Sequence, residues 1–334
     1  MDPVVPRIDL SPERYAQKIC ERSVITLAQA ITLIESSSAD HAARAAELMK
    51  LLLPHRDHSV RVGITGVPGV GKSTFIEAFG LYLCEQGHRV AVLAVDPTSV
   101  VSGGSILGDK TRMEKLSRHP AAYIRPSPSG GALGGVARKT RETITLCEAA
   151  GYDVILVETV GVGQGEIAVR SMTDFFLLLA LTGAGDELQG FKKGIVEMAD
   201  AIAVTKADGD NVAAAERLKA EMSQVMHLLA PATAGWKPQV LACSAVNGTG
   251  IRELWELIEK FRAEMTSSGE WAARRLAQVQ EGLVECAREQ VLARILDSPA
   301  VQNDLAAFGP LVAQGKITLR DAAAKVAADF LADS

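Results

Sequence analysis

The sequence predicts an α/β fold in which a mostly parallel central sheet is flanked by helices. Short, continuous apolar runs recur through the middle of the chain, as in VAVLAV at 90–95 and FFLLLAL at 175–181. Segments with helical periodicity separate most of these runs. Strands that are buried on both faces have this uninterrupted apolar pattern, and their alternation with helices is typical of a parallel sheet.

The elements divide the chain into three predicted segments. Residues 1–58 form an N-terminal helical extension, which begins with a Ser11-Pro12-Glu13 cap. Residues 59–266 form the core, with strands predicted at 60–65, 90–95, 154–157, 175–181, 201–204 and 239–242 and helices at 72–85, 133–149, 212–229 and 251–265. Residues 267–334 form a C-terminal helical segment, with helices at 271–293 and 317–331.

Composition excludes several classes of protein. The chain has 334 residues, of which 48% are apolar, so it can bury a large core and is not expected to be disordered. Its net charge of −5 argues against a general nucleic-acid binder, and no apolar run approaches the length of a membrane span. Five scattered cysteines without a C-x-x-C pair, and a start without a secretory pattern, predict a soluble cytoplasmic protein.

The strongest motif is GVPGVGKST at 66–74, which lies between a predicted strand and a predicted helix. Its glycines let backbone N–H groups surround phosphate oxygens at a helix N-terminus, which predicts the core of a P-loop NTPase. The Lys72 ammonium reaches the β- and γ-phosphates, and the Ser73 hydroxyl binds magnesium. The residues predicted to contact nucleotide here are Gly66, Pro68, Gly69, Val70, Gly71, Lys72, Ser73 and Thr74.

Carboxylates follow two further strands at the same predicted edge of the sheet. Glu158 ends one strand and precedes Gly161, whose N–H is expected near the γ-phosphate. Asp96 ends another strand, and Asp109 lies in the loop beyond it. Ser73, Asp96, Asp109 and Glu158 are the predicted magnesium ligands. A carboxylate in such a place can also merely cap a helix.

A T-K-x-D sequence at 205–208 predicts recognition of guanine. The Asp208 carboxylate can accept hydrogen bonds from guanine N1–H and its exocyclic amine, which adenine lacks, and the Lys206 stem can lie across the base. Thr205 stands where GTPases usually have Asn, so one supporting hydrogen bond is expected to be weakened or remade. Ser244 and Ala245 follow the next strand, where a second guanine-contacting loop is expected.

Two glycine-punctuated loops are candidates for conformational switches. Residues 161–166 directly follow the Glu158 strand, where the γ-phosphate is sensed in nucleotide switches. Residues 183–194 carry four glycines and a charged apex. A solvated connection is the alternative interpretation of this second loop. The predicted switch residues are Gln164, Asp186, Glu187, Gln189 and Lys192.

These motifs together resemble the MeaB/ArgK family of G proteins, from about Leu27 to Phe261. The segments that carry the resemblance are GVPGVGKST, AVDPTS, GGSILGDKTRM, YIRPSPS, ILVETVGVGQ, TKADGDN and GAGDELQG with the KKG that follows it. The resemblance implies a homodimeric GTPase that uses GTP/GDP and Mg²⁺ and acts as a chaperone of adenosylcobalamin-dependent methylmalonyl-CoA mutase. It would couple hydrolysis to loading of the B12 cofactor and to protection and reactivation of the mutase.

The resemblance also assigns roles to residues. It implies phosphate contact, magnesium binding or water activation for Lys72, Ser73, Asp96, Asp109 and Glu158, and base contact for Lys206 and Asp208. Either Asp96 or Asp109 orients the attacking water, and the sequence leaves that choice open. Residues 183–194 correspond to an extra switch, and the C-terminal helices to a dimerisation arm. The chain departs from the family at Thr205 and at Gly165, where relatives often have Ser.

Two other functions are alternatives to this one. A P-loop kinase that phosphorylates a small molecule or a transport protein would need an acceptor pocket, and the sequence marks none. A nickel-insertion GTPase would carry clustered Cys and His ligands, which this sequence lacks. No nucleic-acid or membrane partner is expected.

Overall fold

The structure is a computed structural model that describes residues 10–36, 38–56, 58–95, 113–125, 133–159, 165–183 and 193–332. The chain forms two compact units, the first ending at Gln278 and the second beginning at Val279. No helix among the described residues is both long enough and apolar enough to cross a membrane.

The described part of the first unit is built on a seven-stranded sheet in which every pairing is parallel. The strand order is β3-β2-β4-β1-β5-β6-β7, so the carboxyl ends of all strands lie at one edge. This arrangement confirms the predicted fold class. The strands are β1 Val60–Gly66, β2 Val90–Val95, β3 Ala122–Arg125, β4 Val154–Thr159, β5 Phe175–Ala180, β6 Ala201–Val204 and β7 Gln239–Ala242.

Helices cover both faces of this sheet. They are α1 Pro12–Cys20, α2 Val24–Glu35, α3 Ala39–Leu52, α4 Lys72–Glu85, α5 Glu114–Ser117, α6 Leu133–Ala149, α7 Gly165–Arg170, α8 Lys193–Met198, α9 Val212–Leu228, α10 Ile251–Ser268 and the start of α11 Glu270–Leu296. Alternate strand residues face opposite layers: Val92 packs with α4 and α10, whereas Leu93 packs with α2, α3 and α6. The N-terminal helices therefore belong to the same compact unit as the sheet.

Several elements were not predicted from the sequence, and they include the short helices α5 and α7. The edge strand β3 is only AYIR, two of whose four residues are half-buried, so it lacks a continuous apolar run. Helix α12 Pro299–Ala313 contains Gly309-Pro310, a pair that argues against a helix. Pro310 has no N–H to donate to the carbonyl four residues earlier, so α12 forms without that hydrogen bond. In the second unit, α12 and α13 Leu319–Ala332 bury Val301 and Val326.

The amino-terminal edge of the sheet carries a network of buried ion pairs. Asp174 precedes β5 and accepts two hydrogen bonds from Arg275 of α11, each of 2.8 Å, together with the Arg61 N–H at 2.9 Å. Arg275 also donates to the Ser59 carbonyl at 2.7 Å. Glu148 accepts from the Arg61 guanidinium at 2.9 Å and has no exposed side-chain surface. The first turns of α11 are thereby tied to the base of the sheet.

Asp200, which precedes β6, forms the second half of this network. Its carboxylate accepts from Arg274 at 3.0 Å and from the Phe176 N–H at 2.8 Å, and Arg170 of α7 lies 3.7 Å away. The Thr233 hydroxyl also donates to it. Burial raises the pKa of Asp200 to about 6, while Arg170 and the hydrogen bonds from Thr233 and Phe176 oppose the shift.

Candidate functional site

The P-loop joins β1 to α4 at the carboxyl-terminal edge of the sheet, and glycine is required at three of its positions. A Cβ atom on Gly66 would lie 2.7 Å from the Leu179 carbonyl oxygen of β5. Gly69 and Gly71 have φ angles of 81° and 92°, in the left-handed region that side chains disfavour. Gly71 is the N-cap of α4, so the loop turns directly into the N-terminus of a helix. This is the geometry that binds phosphate through backbone N–H groups.

Lys72 begins α4 and turns back over this loop. Its ammonium donates a hydrogen bond of 2.6 Å to the Gly66 carbonyl. Burial lowers its pKa, and the negative charges of Glu158 and Glu166 oppose that shift. A half-buried cation at the N-terminus of a helix is suited to bind a polyanion. Ser73 follows in the same turn and is half-buried, whereas Thr74 is exposed.

Glu158 lies where the sequence predicts it, at the end of β4 beside the P-loop strand. It pairs in register with Ile64 of β1 and with Ala94 of β2, and its side chain is buried. Sequence reasoning missed Glu166, the buried acidic residue in the first turn of α7. Its position in the glycine-punctuated segment 161–166 was the available signal. Glu158 and Glu166 together place negative charge near Lys72.

Two buried threonines connect β1 to β4 next to these charges. The hydroxyls of Thr65 and Thr159 lie 2.9 Å apart. Thr65 precedes the first glycine of the P-loop, and Thr159 is the last residue of β4. This bond therefore joins the strand that leads into the P-loop to the strand that carries Glu158. Sequence reasoning did not identify it, because a threonine in a strand is an ordinary residue.

Thr205 ties the predicted base loop to the P-loop. Its buried hydroxyl donates to the Val70 carbonyl at 2.7 Å, and the Ala180 carbonyl lies 3.1 Å away. Thr205, which stands where GTPases usually have Asn, thus remakes the supporting hydrogen bond between the base loop and the P-loop with its own hydroxyl.

The structure brings the predicted base-loop residues together. The Lys206 ammonium donates to the Gly69 carbonyl at 2.9 Å, so its side chain crosses the P-loop. Asp208 accepts a hydrogen bond from the Ser244 hydroxyl, whose oxygen accepts the Val246 N–H at 3.2 Å. Ala245 is half-buried in the same turn. An oriented carboxylate beside a lysine stem can recognise a planar base with adjacent N–H donors.

Several predicted site residues lie outside the described residues: Asp96, Asp109, Gly161, Gln164, Asp186, Glu187, Gln189 and Lys192. The roles assigned to these residues stay predictions. Which of Asp96 and Asp109 orients the attacking water stays open. Within the described ranges, no group of three or more His, Cys, Asp or Glu side chains is arranged to hold a metal ion.

Comparison with known proteins gives consistent matches. A family model described as methylmalonyl-CoA mutase-associated GTPase MeaB matches residues 27–300. A Mycobacterium bovis protein named as a GTPase is 53% identical over 292 residues, which cover 87% of each chain. The mouse mitochondrial methylmalonic aciduria type A homolog is 47% identical over 306 residues, covering 87% of this chain and 73% of the mouse protein. A crystal structure of an LAO/AO transport system kinase superimposes with a TM-score of 0.75 and 35% identity, over 96% of this chain and 97% of that one.

Proposed function

This chain belongs to the family of methylmalonyl-CoA mutase-associated GTPases, and we propose that it serves as a chaperone of adenosylcobalamin-dependent methylmalonyl-CoA mutase. In this role GTP hydrolysis is coupled to loading of the cofactor and to protection and reactivation of the mutase. The observation that carries the proposal is the family match over residues 27–300, which spans the P-loop, the base loop and the segment 183–194. The chain is a GTPase, as its relatives are named.

The P-loop binds the phosphates in this proposal. Backbone N–H groups between Gly66 and Gly71 surround phosphate oxygens, and the Lys72 ammonium exchanges its bond to the Gly66 carbonyl for the β- and γ-phosphates. Lys206, Asp208, Ser244 and Ala245 hold the base. Positioning and electrostatic stabilisation of the phosphoryl group then supply most of the rate, because phosphoryl transfer needs little covalent chemistry from the protein.

The donor set beside the P-loop fits a magnesium ion. Ser73 offers a hydroxyl oxygen and Glu158 a carboxylate, and Mg²⁺ prefers such oxygen ligands. Asp96 and Asp109 are further candidate ligands, and one of them orients the attacking water. When bound, the metal neutralises negative charge that develops on the phosphates.

Asp208 is the residue that tests guanine recognition. Asp208→Asn can donate to the additional carbonyl of xanthine, so it should move preference from GDP toward XDP. Competition binding with GDP, XDP and ADP measures the change. Equal affinity of the unmodified protein for GDP and ADP would rule out the proposed base site.

Lys192 is the residue that tests coupling to the mutase. We assign residues 183–194 to a switch that carries the signal of mutase binding to the hydrolysis site. Lys192→Ala should leave GDP affinity and intrinsic turnover nearly intact, because the phosphate and base contacts lie elsewhere, and should reduce the acceleration of GTP turnover by the mutase. Turnover with and without an adenosylcobalamin-dependent methylmalonyl-CoA mutase measures this. Equal stimulation of the variant and the parent would refute the switch assignment.

The proposed assembly is a homodimer formed through the C-terminal helices. Helix α11 exposes Leu283, Val284 and Val291, each with more than half of its surface accessible. Apolar exposure of this kind along one helix supports a protein contact. Leu283→Glu should raise the monomer fraction in analytical ultracentrifugation, and an unchanged dimer would remove this face from the interface.

The proposed location of the protein is the cytoplasm. All five cysteines are free thiols, which fits a reducing compartment.

The superimposed crystal structure is named as a transport system kinase, which favours one alternative, phosphorylation of a small molecule or a transport protein. The two functions differ in the fate of the γ-phosphate. Hydrolysis releases it as inorganic phosphate, whereas a kinase transfers it to an acceptor. GTP labelled in the γ-phosphate separates them, since a labelled acceptor in a reaction supplied with cell metabolites would favour the kinase.

A further inference from the structure

Asn211 lies beside the base loop, and neither the motif nor the proposed mechanism assigns it a role. It ends the 3₁₀ turn Gly209–Asn211. Its amide nitrogen Nδ2 donates to the Lys206 carbonyl at 2.8 Å, and its Oδ1 accepts from the Thr182 hydroxyl at 2.8 Å. Its backbone N–H donates to the Asp208 carbonyl at 3.0 Å. Both polar atoms of the Asn211 side chain are therefore hydrogen-bonded, Nδ2 to the base loop at Lys206 and Oδ1 to Thr182 after β5.

The Lys206 carbonyl belongs to a residue whose backbone is in the left-handed region. Lys206 has a φ angle of 56°, and among the described non-glycine residues only Arg22 shares a positive value. A non-glycine residue in this region costs about 1–2 kcal/mol, so the surroundings must hold it there. The turn directs the Lys206 ammonium to the Gly69 carbonyl and lets the Ala207 N–H donate to the Cys243 carbonyl at 3.0 Å. Asp208 follows immediately and meets Ser244.

The orientation of the Asn211 amide is determined by its two partners. A carbonyl oxygen can only accept, so the Nδ2 group must face Lys206 and the Oδ1 atom must face the Thr182 hydroxyl. An aspartate at this position would have nearly the same shape. It would place a carboxylate oxygen against the Lys206 carbonyl oxygen, with no proton between them at neutral pH. The single change from amide to carboxylate thus converts an attraction into a repulsion at one peptide group.

We propose that Asn211 is a positioning residue for base selectivity, which holds the left-handed Lys206 turn so that Lys206 and Asp208 meet the base together. Thr182 supports it by fixing the orientation of the amide. This inference rests on the proposed assignment of Lys206 and Asp208 to base recognition. Asn211 has no part in binding the phosphates, whose predicted contacts lie in the P-loop.

The test compares the affinities of the full-length protein for GDP and ADP in four variants. Asn211→Asp should reduce the preference for GDP over ADP about tenfold, the effect of about one lost hydrogen bond, while ADP affinity changes less than about twofold. Thr182→Val leaves the amide in place but frees its orientation, and should reduce the preference by about threefold. Asn247→Asp is the control, because its Oδ1 is used only as an acceptor, from the Thr249 N–H at 3.0 Å, and the added charge is the same. Asp208→Asn reports on the base site itself.

Each outcome supports or overturns the inference. Equal losses of GDP and ADP affinity in Asn211→Asp would show that Asn211 only supports the fold. Loss of selectivity in Asp208→Asn, but not in Asn211→Asp, would overturn the role of Asn211 and leave the base site standing. Retained guanine preference in Asp208→Asn would refute both the proposed base site and the role of Asn211. If Asn211→Asp does not fold, Thr182→Val decides, and an unchanged GDP to ADP ratio in that variant refutes the inference.

Discussion

Charged side chains at the two edges of the sheet in the first unit have different kinds of partner. At the amino-terminal edge, Asp174 is matched by Arg275 within the protein, and Asp200 by Arg274. At the carboxyl-terminal edge, Lys72 and Lys206 donate to backbone carbonyls of the P-loop itself. Carbonyls are partners that a phosphate can replace, whereas a buried carboxylate bonded to a guanidinium is not readily displaced. The difference separates the edge that holds the fold together from the edge that is prepared for a ligand.

Breaking the amino-terminal edge should give the largest effect. Arg275→Ala removes two hydrogen bonds to Asp174 and leaves that carboxylate buried without its main partner, so the free energy of unfolding should fall by about 3–5 kcal/mol. Arg252→Ala removes an exposed ion pair with Glu256 and should leave the free energy of unfolding almost unchanged. Denaturant titrations measure both. Similar costs for the two variants would show that the buried pair at this edge contributes no more to stability than an exposed pair.

The pH dependence of stability tests the same edge through Asp200. In the folded protein its pKa is raised to about 6, whereas an unfolded Asp titrates near 4. Between those values the folded state binds more protons, so the contribution of Asp200 to stability falls as the pH rises through the window. Asp200→Asn removes this term, and the parent should lose roughly 3 kcal/mol relative to the variant from about pH 4 to about pH 7. Parallel stability curves would exclude the raised pKa.

At the carboxyl-terminal edge, substitution should affect turnover and leave stability almost unchanged. Lys72→Ala removes a half-buried cation whose hydrogen bond, within the described ranges, goes to the Gly66 carbonyl of the P-loop, so the free energy of unfolding should change little. GTP turnover should fall about 100-fold, or roughly 2.7 kcal/mol, because the charge on the phosphates loses its partner. Lys219→Ala on α9 is the control, since Lys219 forms an exposed ion pair with its helical neighbour Glu216. Normal turnover in Lys72→Ala would refute the site.

The smallest expected effect concerns the bond between the two loops of the site. Thr205→Val leaves the Val70 carbonyl without the threonine hydroxyl and should weaken GDP binding about tenfold, roughly 1.4 kcal/mol. Thr205→Ser keeps the hydroxyl and should bind GDP within about twofold of the parent. Titration with fluorescent GDP measures both. Loss of binding in the serine variant would indicate a packing role for the threonine methyl group.

Sequence reasoning predicted the elements with strong local patterns. The P-loop strand, its glycines and helix α4 follow from the motif, and α4 was predicted at 72–85, as observed. Strand β3 and helix α12 were missed, because β3 is short and half-buried and α12 contains Gly309-Pro310. In both cases burial or position within the fold outweighs the local propensity.

The sequence by itself determined the fold class and the phosphate-binding loop, and its T-K-x-D motif predicts base recognition. Each depends on residues that are neighbours in the chain, so a linear pattern contains it. The tertiary structure alone decided that Asn211 meets Thr182, 29 residues away, and that Arg275 meets Asp174, 101 residues away. The register of β5 and β6 and the packing of α11 bring those groups within hydrogen-bonding distance. A hydrogen bond requires its two atoms within about 3 Å, and no pattern along the chain specifies that distance.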